Sequence, residues 1–185
     1  MKSVISLLLL SLTSLATIKL PHTLKSTNLL TNEKIEIPLF SENRKEFTIL
    51  IFMSAKCPCS NSHVPEIQKL SKEYSNYSFF IIHSNRDENL EFSKKYFSEL
   101  HLTIPVIQDE QAAIADLFKA YKTPHAFIIN STGDIIYRGG VSNSHISSNA
   151  TKHYLADALQ DIKSEQKIKI SEAKTLGCII SRESD

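Results

Sequence analysis

Residues 47–54 read FTILIFMS, a run of strand length with no charge and no polar alternation. A strand exposed on one face alternates apolar with polar side chains, whereas a strand without alternation is covered on both. This run therefore predicts a central strand with a packed layer on each side. Its neighbours fit that plan. Residues 34–40 (KIEIPLF) alternate and carry Pro38, which confines them to an edge strand. Residues 60–74 place Val64, Ile67, Leu70 and Tyr74 at helical spacing, and residues 78–83 (SFFIIH) form a second buried strand. A helix over residues 89–100 presents Leu90, Phe92, Phe97 and Leu100; a strand over 103–108 and a helix over 112–121 follow. Residues 126–130 (AFIIN) and 134–138 (DIIYR) pair as a hairpin across the turn at 131–133, and a last helix runs from about residue 150 to 162. Strands alternating with helices and closing in a hairpin predict a three-layer α/β domain with a mixed central sheet.

A chain of 185 residues with 42% hydrophobic residues supports one globular unit and is not the composition of a disordered chain. Lys plus Arg is 21 against 20 for Asp plus Glu, which lacks the basic excess of a nucleic-acid binder. Residues 1–16 have Lys2, an apolar run broken only by Ser and Thr, and small residues Ser14 and Ala16 before a cut site. This pattern predicts a secretory signal peptide, hence an exported protein, periplasmic if bacterial and otherwise secreted. The expected domain is then residues 17–163, followed by a tail over 164–185 that is polar apart from LGCII at 176–180. Three cysteines are too few for a disulfide scaffold, so they are free for chemistry in a compartment where disulfides persist.

Cys57, Pro58 and Cys59 lie between the buried strand and the first helix. A thiol at a helix start meets free backbone N–H groups and the positive end of the helix dipole, which favour the thiolate, and Lys56 adds a neighbouring cation. With Phe52 five residues before Cys57, Pro65 eight after it, and Thr123-Pro124 ahead of the strand and hairpin FIINSTGDIIYRGG, the chain resembles the thioredoxin-like superfamily. Within it, the chain resembles the secreted redoxins of AhpC/TSA or TlpA-like type, and the tail KTLGCII resembles a Gly-Cys ending of a redoxin subgroup with an active-site segment like FMSAKCPCSNSHVPE. The resemblance implies a thioredoxin-like fold with an inserted strand–helix unit, Cys57 as nucleophile, and Thr123 and a cis Pro124 guiding an extended substrate. Ser54, Lys56, Pro58, Ser60 and Pro65 shape the site. The chain also departs from the pattern: Ser60 stands where the second cysteine of Cys-x-x-Cys belongs, and Ile51 stands where an acidic residue lies beneath the thiol. Cys59 and Cys178 are the two alternatives for the resolving thiol, and a Cys59–Cys178 bond would leave Cys57 to act alone.

Three activities fit these residues. The first is a cofactor-free thiol–disulfide oxidoreductase acting on protein or small-molecule disulfides, served by a membrane or periplasmic thiol reductant. The second is a thiol peroxidase, suggested by Ser54 three residues before Cys57, although Leu50 replaces the expected Pro, and Pro124 and His125 stand where an Arg belongs. Arg138 is the nearby candidate for that role. The third is a copper chaperone similar to the Sco proteins, with Cys57, Cys59 and His63 or His125 as soft-metal ligands. His22, His101, His145 and His153 show no ligand spacing.

Overall fold

The computed structural model describes residues 19–40 and 47–183; the expected leader, residues 1–16, lies outside them. Two strands open the chain, β1 (Thr23–Asn28) and β2 (Lys34–Pro38), followed by β3 (Thr48–Phe52) and helix α1 (Pro58–Glu73). Then come β4 (Ser78–His83), α2 (Leu90–Glu99), β5 (Val106–Gln108), α3 (Ala113–Phe118), β6 (Lys122–Thr123), β7 (His125–Ile129), β8 (Ile135–Gly139), α4 (Tyr154–Lys163) and β9 (Cys178–Ile179). Seven strands form one sheet in the order β2-β1-β5-β4-β3-β7-β8, and β6 pairs with β9 separately. The pairs β3–β4 and β4–β5 are parallel and the others antiparallel, so the sheet is mixed as expected.

The uncharged run lies in the middle of the sheet, and all five β3 residues are buried. Its side chains alternate between two cores. Ile49 and Ile51 pack with Val64, Ile67 and Leu70 of α1, Phe97 of α2 and Leu155 and Leu159 of α4. Leu50 and Phe52 pack on the other face with Ile114, Ala115 and Phe118 of α3. Each fully buried aliphatic or aromatic side chain contributes roughly 1.5–3 kcal/mol, which is why this strand tolerates no charge on either face.

Several expected boundaries move, each for a local reason. The helix expected over 112–121 shrinks to α3 because the Asp109 carboxylate accepts from the N–H groups of Ile114 and Ala115, at 2.8 and 2.9 Å, fixing its start. Lys119 then ends it in the left-handed conformation, φ 53°. The last helix starts at Tyr154 because Asn143 Oδ1 accepts from the N–H groups of Thr151 and Lys152, both at 3.0 Å, holding them in a loop. The strand expected from residue 103 begins only at Val106, after Pro105, which has no N–H to give to a ladder. Among the described residues, no helix is long and apolar enough to cross a membrane.

Candidate active site

Strand β3 delivers the chain to the sheet edge, where Cys57 is the N-cap of α1 and Pro58 occupies the first helical turn. Proline suits that position because its missing N–H would have had no partner within the helix. Cys57 is 1% exposed. Its Sγ lies 3.3 Å from the Thr123 carbonyl oxygen, on the far side of the cis Thr123-Pro124 bond. Pro65 lies within α1, which continues beyond it to Glu73.

The tail comes back to this point. β9 pairs antiparallel with β6, setting Cys178 opposite Thr123 and Ile179 opposite Lys122. Gly177 makes the approach possible: with φ +145°, a Cβ there would stand 1.9 Å from the Thr123 carbonyl oxygen. Only glycine lets the two backbones come this close. Further bonds fix the tail on both sides, from Ile180 N–H to Tyr121 O at 3.0 Å, from the Arg182 guanidinium to Ala120 O at 2.8 Å, and from Arg86 to Arg182 O at 2.9 Å. The edge of Thr123, expected to guide a substrate, is thus occupied by the chain's own Gly-Cys segment.

Burial pushes the Cys57 thiol up, but hydrogen bonds to the thiolate outweigh it. They come from the Cys178 thiol, Thr123 and the backbone N–H groups of Ser60 and Cys178, and they bring Cys57 down from 9.0 to about 7. Thr123 Oγ1 is buried and otherwise unpartnered, a donor held in reserve for the ionised sulfur. Cys178 moves the other way, up to about 12, through burial first and then the bond and charge of Cys57. Cys59 is also raised, by burial first and then by Cys57. Cys57 is therefore the most readily ionised of the three thiols.

Lys56 does not act as expected. Its ammonium donates to the Asp87 carbonyl oxygen at 2.7 Å, and the thiolate is stabilised by hydrogen bonds instead. Ser60 supplies its N–H to Cys57 and its Oγ to the Ser54 N–H, at 3.3 Å. Ser54, the residue that suggested a peroxidase, donates its hydroxyl to Glu88. Glu88 is the carboxylate that sequence reasoning missed: strand β3 has none, and the acid comes instead from the loop before α2. It is buried, accepts from the Ala55 N–H at 2.8 Å, and pairs with His83 Nε2 at 3.0 Å. Burial raises its pKa, but bonds from His83 and Ser54, the His83 charge and the Ala55 N–H together carry it below the usual value.

Arg138 pairs with Glu172 at 2.9 Å and is half exposed, a salt bridge at the edge of the sheet. His125 is buried against Phe127 and held neutral, its pKa lowered to about 4 by burial first and then by the Arg138 charge. The copper donor set does not fit as placed. His63 Nδ1 is 2.7 Å from the Cys59 carbonyl oxygen and Nε2 is 2.7 Å from Ser142 Oγ, so neither nitrogen is free for a metal beside Cys57 and Cys59. Among the described residues, no group of three or more His, Cys, Asp or Glu is placed to hold a metal ion. His145, which sequence spacing set aside, brings Nδ1 to 3.4 Å from Cys59 Sγ.

A buried thiol at the start of α1, beside a cis-proline loop at the edge of a mixed sheet, defines a thioredoxin-like protein. The redoxin family profile matches residues 23–159, and the chain belongs to that family. No curated protein matches it. Among solved structures it resembles an uncharacterized conserved protein from Geobacillus kaustophilus, with 23% identity, a TM-score of 0.74, and coverage of 86% of this chain and 88% of that one. A hypothetical protein from Sinorhizobium meliloti is similar at 17% identity, with a TM-score of 0.73 and coverage of 85% and 90%. A secreted Mycobacterium tuberculosis disulfide oxidoreductase homologous to E. coli DsbE follows at 14% identity, with a TM-score of 0.53 and coverage of 60% and 79%.

Proposed function

We propose that this redoxin is an exported thiol–disulfide oxidoreductase in which Cys57 is the nucleophile and Cys178 the resolving thiol. The observation that carries this reading is the pairing of β9 with β6, which presents the Cys178 thiol to Cys57. The Cys57 thiolate attacks one sulfur of a substrate disulfide, forming a mixed disulfide, and the other substrate sulfur leaves as a thiolate and takes up a proton. Cys178 then loses its proton and attacks Cys57 Sγ; the Cys57–Cys178 bond forms and the second substrate thiolate departs. A thiol reductant returns the enzyme to its starting state. Export rests on the leader pattern of residues 1–16 and accords with a secreted structural neighbour. Disulfide chemistry is favoured over peroxide chemistry because the two candidate peroxidase residues are engaged elsewhere, Ser54 with Glu88 and Arg138 with Glu172.

The test is rapid oxidation with one equivalent of a small disulfide, acid quenching, and peptide mapping without reduction. The first intramolecular product should be Cys57–Cys178, and Cys57→Ser should abolish insulin reduction. A first product other than Cys57–Cys178, or unchanged insulin reduction by Cys57→Ser, would overturn the assignment.

A further inference from the structure

The cycle proposed above uses two of the three thiols, and Cys59 remains. Helix α1 has an unusual polar stripe: Cys59, Ser62, His63 and Glu66 recur at spacings of three and four, so they share one face. That face, on which His63 is buried, is partly covered. It grips the segment between β8 and α4 at successive points. His63 Nε2 meets Ser142 Oγ at 2.7 Å, Ser62 Oγ accepts from the Ser147 N–H at 2.7 Å, and Glu66 accepts from Ser147 Oγ at 2.7 Å. Ser62 Oγ also reaches the His145 carbonyl oxygen at 3.4 Å. With its backbone pinned on either side, His145 sets its imidazole over the first residue of the stripe, Nδ1 at 3.4 Å from Cys59 Sγ. The imidazole is exposed and can pass a proton to water.

Cys59 also borders the tail. A Cβ on Gly177 would lie 3.5 Å from the Cys59 Cβ, so the backbone leading into Cys178 runs beside it. Cys59 thus stands between a base and the residue that resolves Cys57.

From this geometry we infer that His145 is the general base for Cys59, and that Cys59 takes the disulfide over from Cys57 by attacking Cys178. This step rests on the Cys57–Cys178 reading. Cys59 Sγ–H gives its proton to His145 Nδ1, and the Cys59 thiolate attacks Cys178 Sγ. A Cys59–Cys178 bond forms as the Cys57–Cys178 bond breaks, and Cys57 leaves with the electron pair as a thiolate. His145 returns its proton to solvent. No net oxidation occurs; the disulfide moves, and the nucleophile is free again before any external reductant has acted. The direction follows from leaving-group chemistry, because the more acidic thiol departs faster and is the better stabilised as an anion. Cys57 is that thiol, because Thr123 and the backbone N–H groups of Ser60 and Cys178 still stabilise its anion when the Cys178 sulfur is in a disulfide, whereas Cys59 is raised.

The experiment follows the same oxidation over time in the full chain. Wild type should pass from Cys57–Cys178 to Cys59–Cys178, with Cys57 becoming alkylatable again without added reductant. In His145→Gln the first bond should form at the wild-type rate, while the transfer slows about tenfold or more, as loss of a general base does. Transfer at the wild-type rate in His145→Gln, or a wild-type Cys57–Cys178 bond that forms and never moves, overturns the inference and leaves the oxidoreductase reading standing. Failure of Cys57–Cys178 to form overturns both.

Discussion

Replacing Cys178 by alanine removes one donor to the Cys57 thiolate while keeping the backbone N–H that also lowers its pKa. A hydrogen bond to a charged group is worth about 1.5–3 kcal/mol, of which water admitted by the smaller side chain restores part, so the loss should be about one pKa unit. The midpoint then moves from about 7 to about 8. The thiolate fraction at about pH 6 falls roughly ninefold, but a more basic thiolate is ~3-fold more nucleophilic for each unit at a Brønsted slope near 0.4–0.5. The net expectation is a crossing. Cys178→Ala alkylates at Cys57 about threefold more slowly than wild type near pH 6 and about threefold faster near pH 9, where both are ionised. Iodoacetamide labelling from about pH 5 to 10, with the Cys57 peptide quantified by mass spectrometry, measures both limbs without interference from Cys59. Cys178→Ser, which keeps a donor, should stay near the wild-type midpoint. Coincident profiles for wild type and Cys178→Ala would show that the tail thiol does not stabilise the nucleophile.

Gly177→Ala should detach the tail, because its Cβ would have to occupy space 1.9 Å from the Thr123 carbonyl oxygen. Limited proteolysis should cut the variant within residues 170–183 at least tenfold faster than wild type, a factor that corresponds to about 1.4 kcal/mol of lost docking; equal rates would refute the close approach. Glu88→Gln should destabilise the fold by about 3 kcal/mol in urea unfolding near pH 7, since an amide removes the charge facing His83 and puts an NH2 donor in place of one of the two oxygens that accept from Ser54 and from the Ala55 N–H. Because the folded carboxyl titrates below its ordinary 4.5, its contribution is complete above that value and is lost as pH falls through the lower folded value. The gap between wild type and variant should therefore narrow on acidification, and a constant gap would refute the assignment of charge to Glu88.

The sheet was largely legible because apolar periodicity is a local property. Residues 78–83 form a strand at the predicted bounds, and 34–38 occupy the edge that Pro38 requires. Strand β1 was missed because TLKSTN has one apolar residue, and its pairing with β2 and β5 supplies what its own pattern does not. The site divides in the same way. The placement of Cys57 at a strand-to-helix junction is written in adjacent residues. Glu88 is 34 residues from the Ser54 it binds, and His145 is 86 from Cys59. Neither contact leaves a trace in local spacing, and only the packing of loops on α1 and β3 produces it.

The glycine before Cys178 shows why the third cysteine is better placed in a tail than in the active-site turn. A second thiol at position 60 would be fixed to the helix that carries Cys57 and would replace the Ser60 hydroxyl, which accepts from the Ser54 N–H. Putting it on β9 leaves that acceptor in place and adds donors, since Cys178 reaches the thiolate through both its thiol and its backbone N–H. The same pairing covers an exposed strand edge that would otherwise invite association with other chains. One two-residue ladder thus supplies a donor to the Cys57 thiolate, protection for the edge and, in the proposed cycle, a partner for the Cys57 disulfide. It depends on a residue without a side chain at position 177, where any Cβ would force the two strands apart.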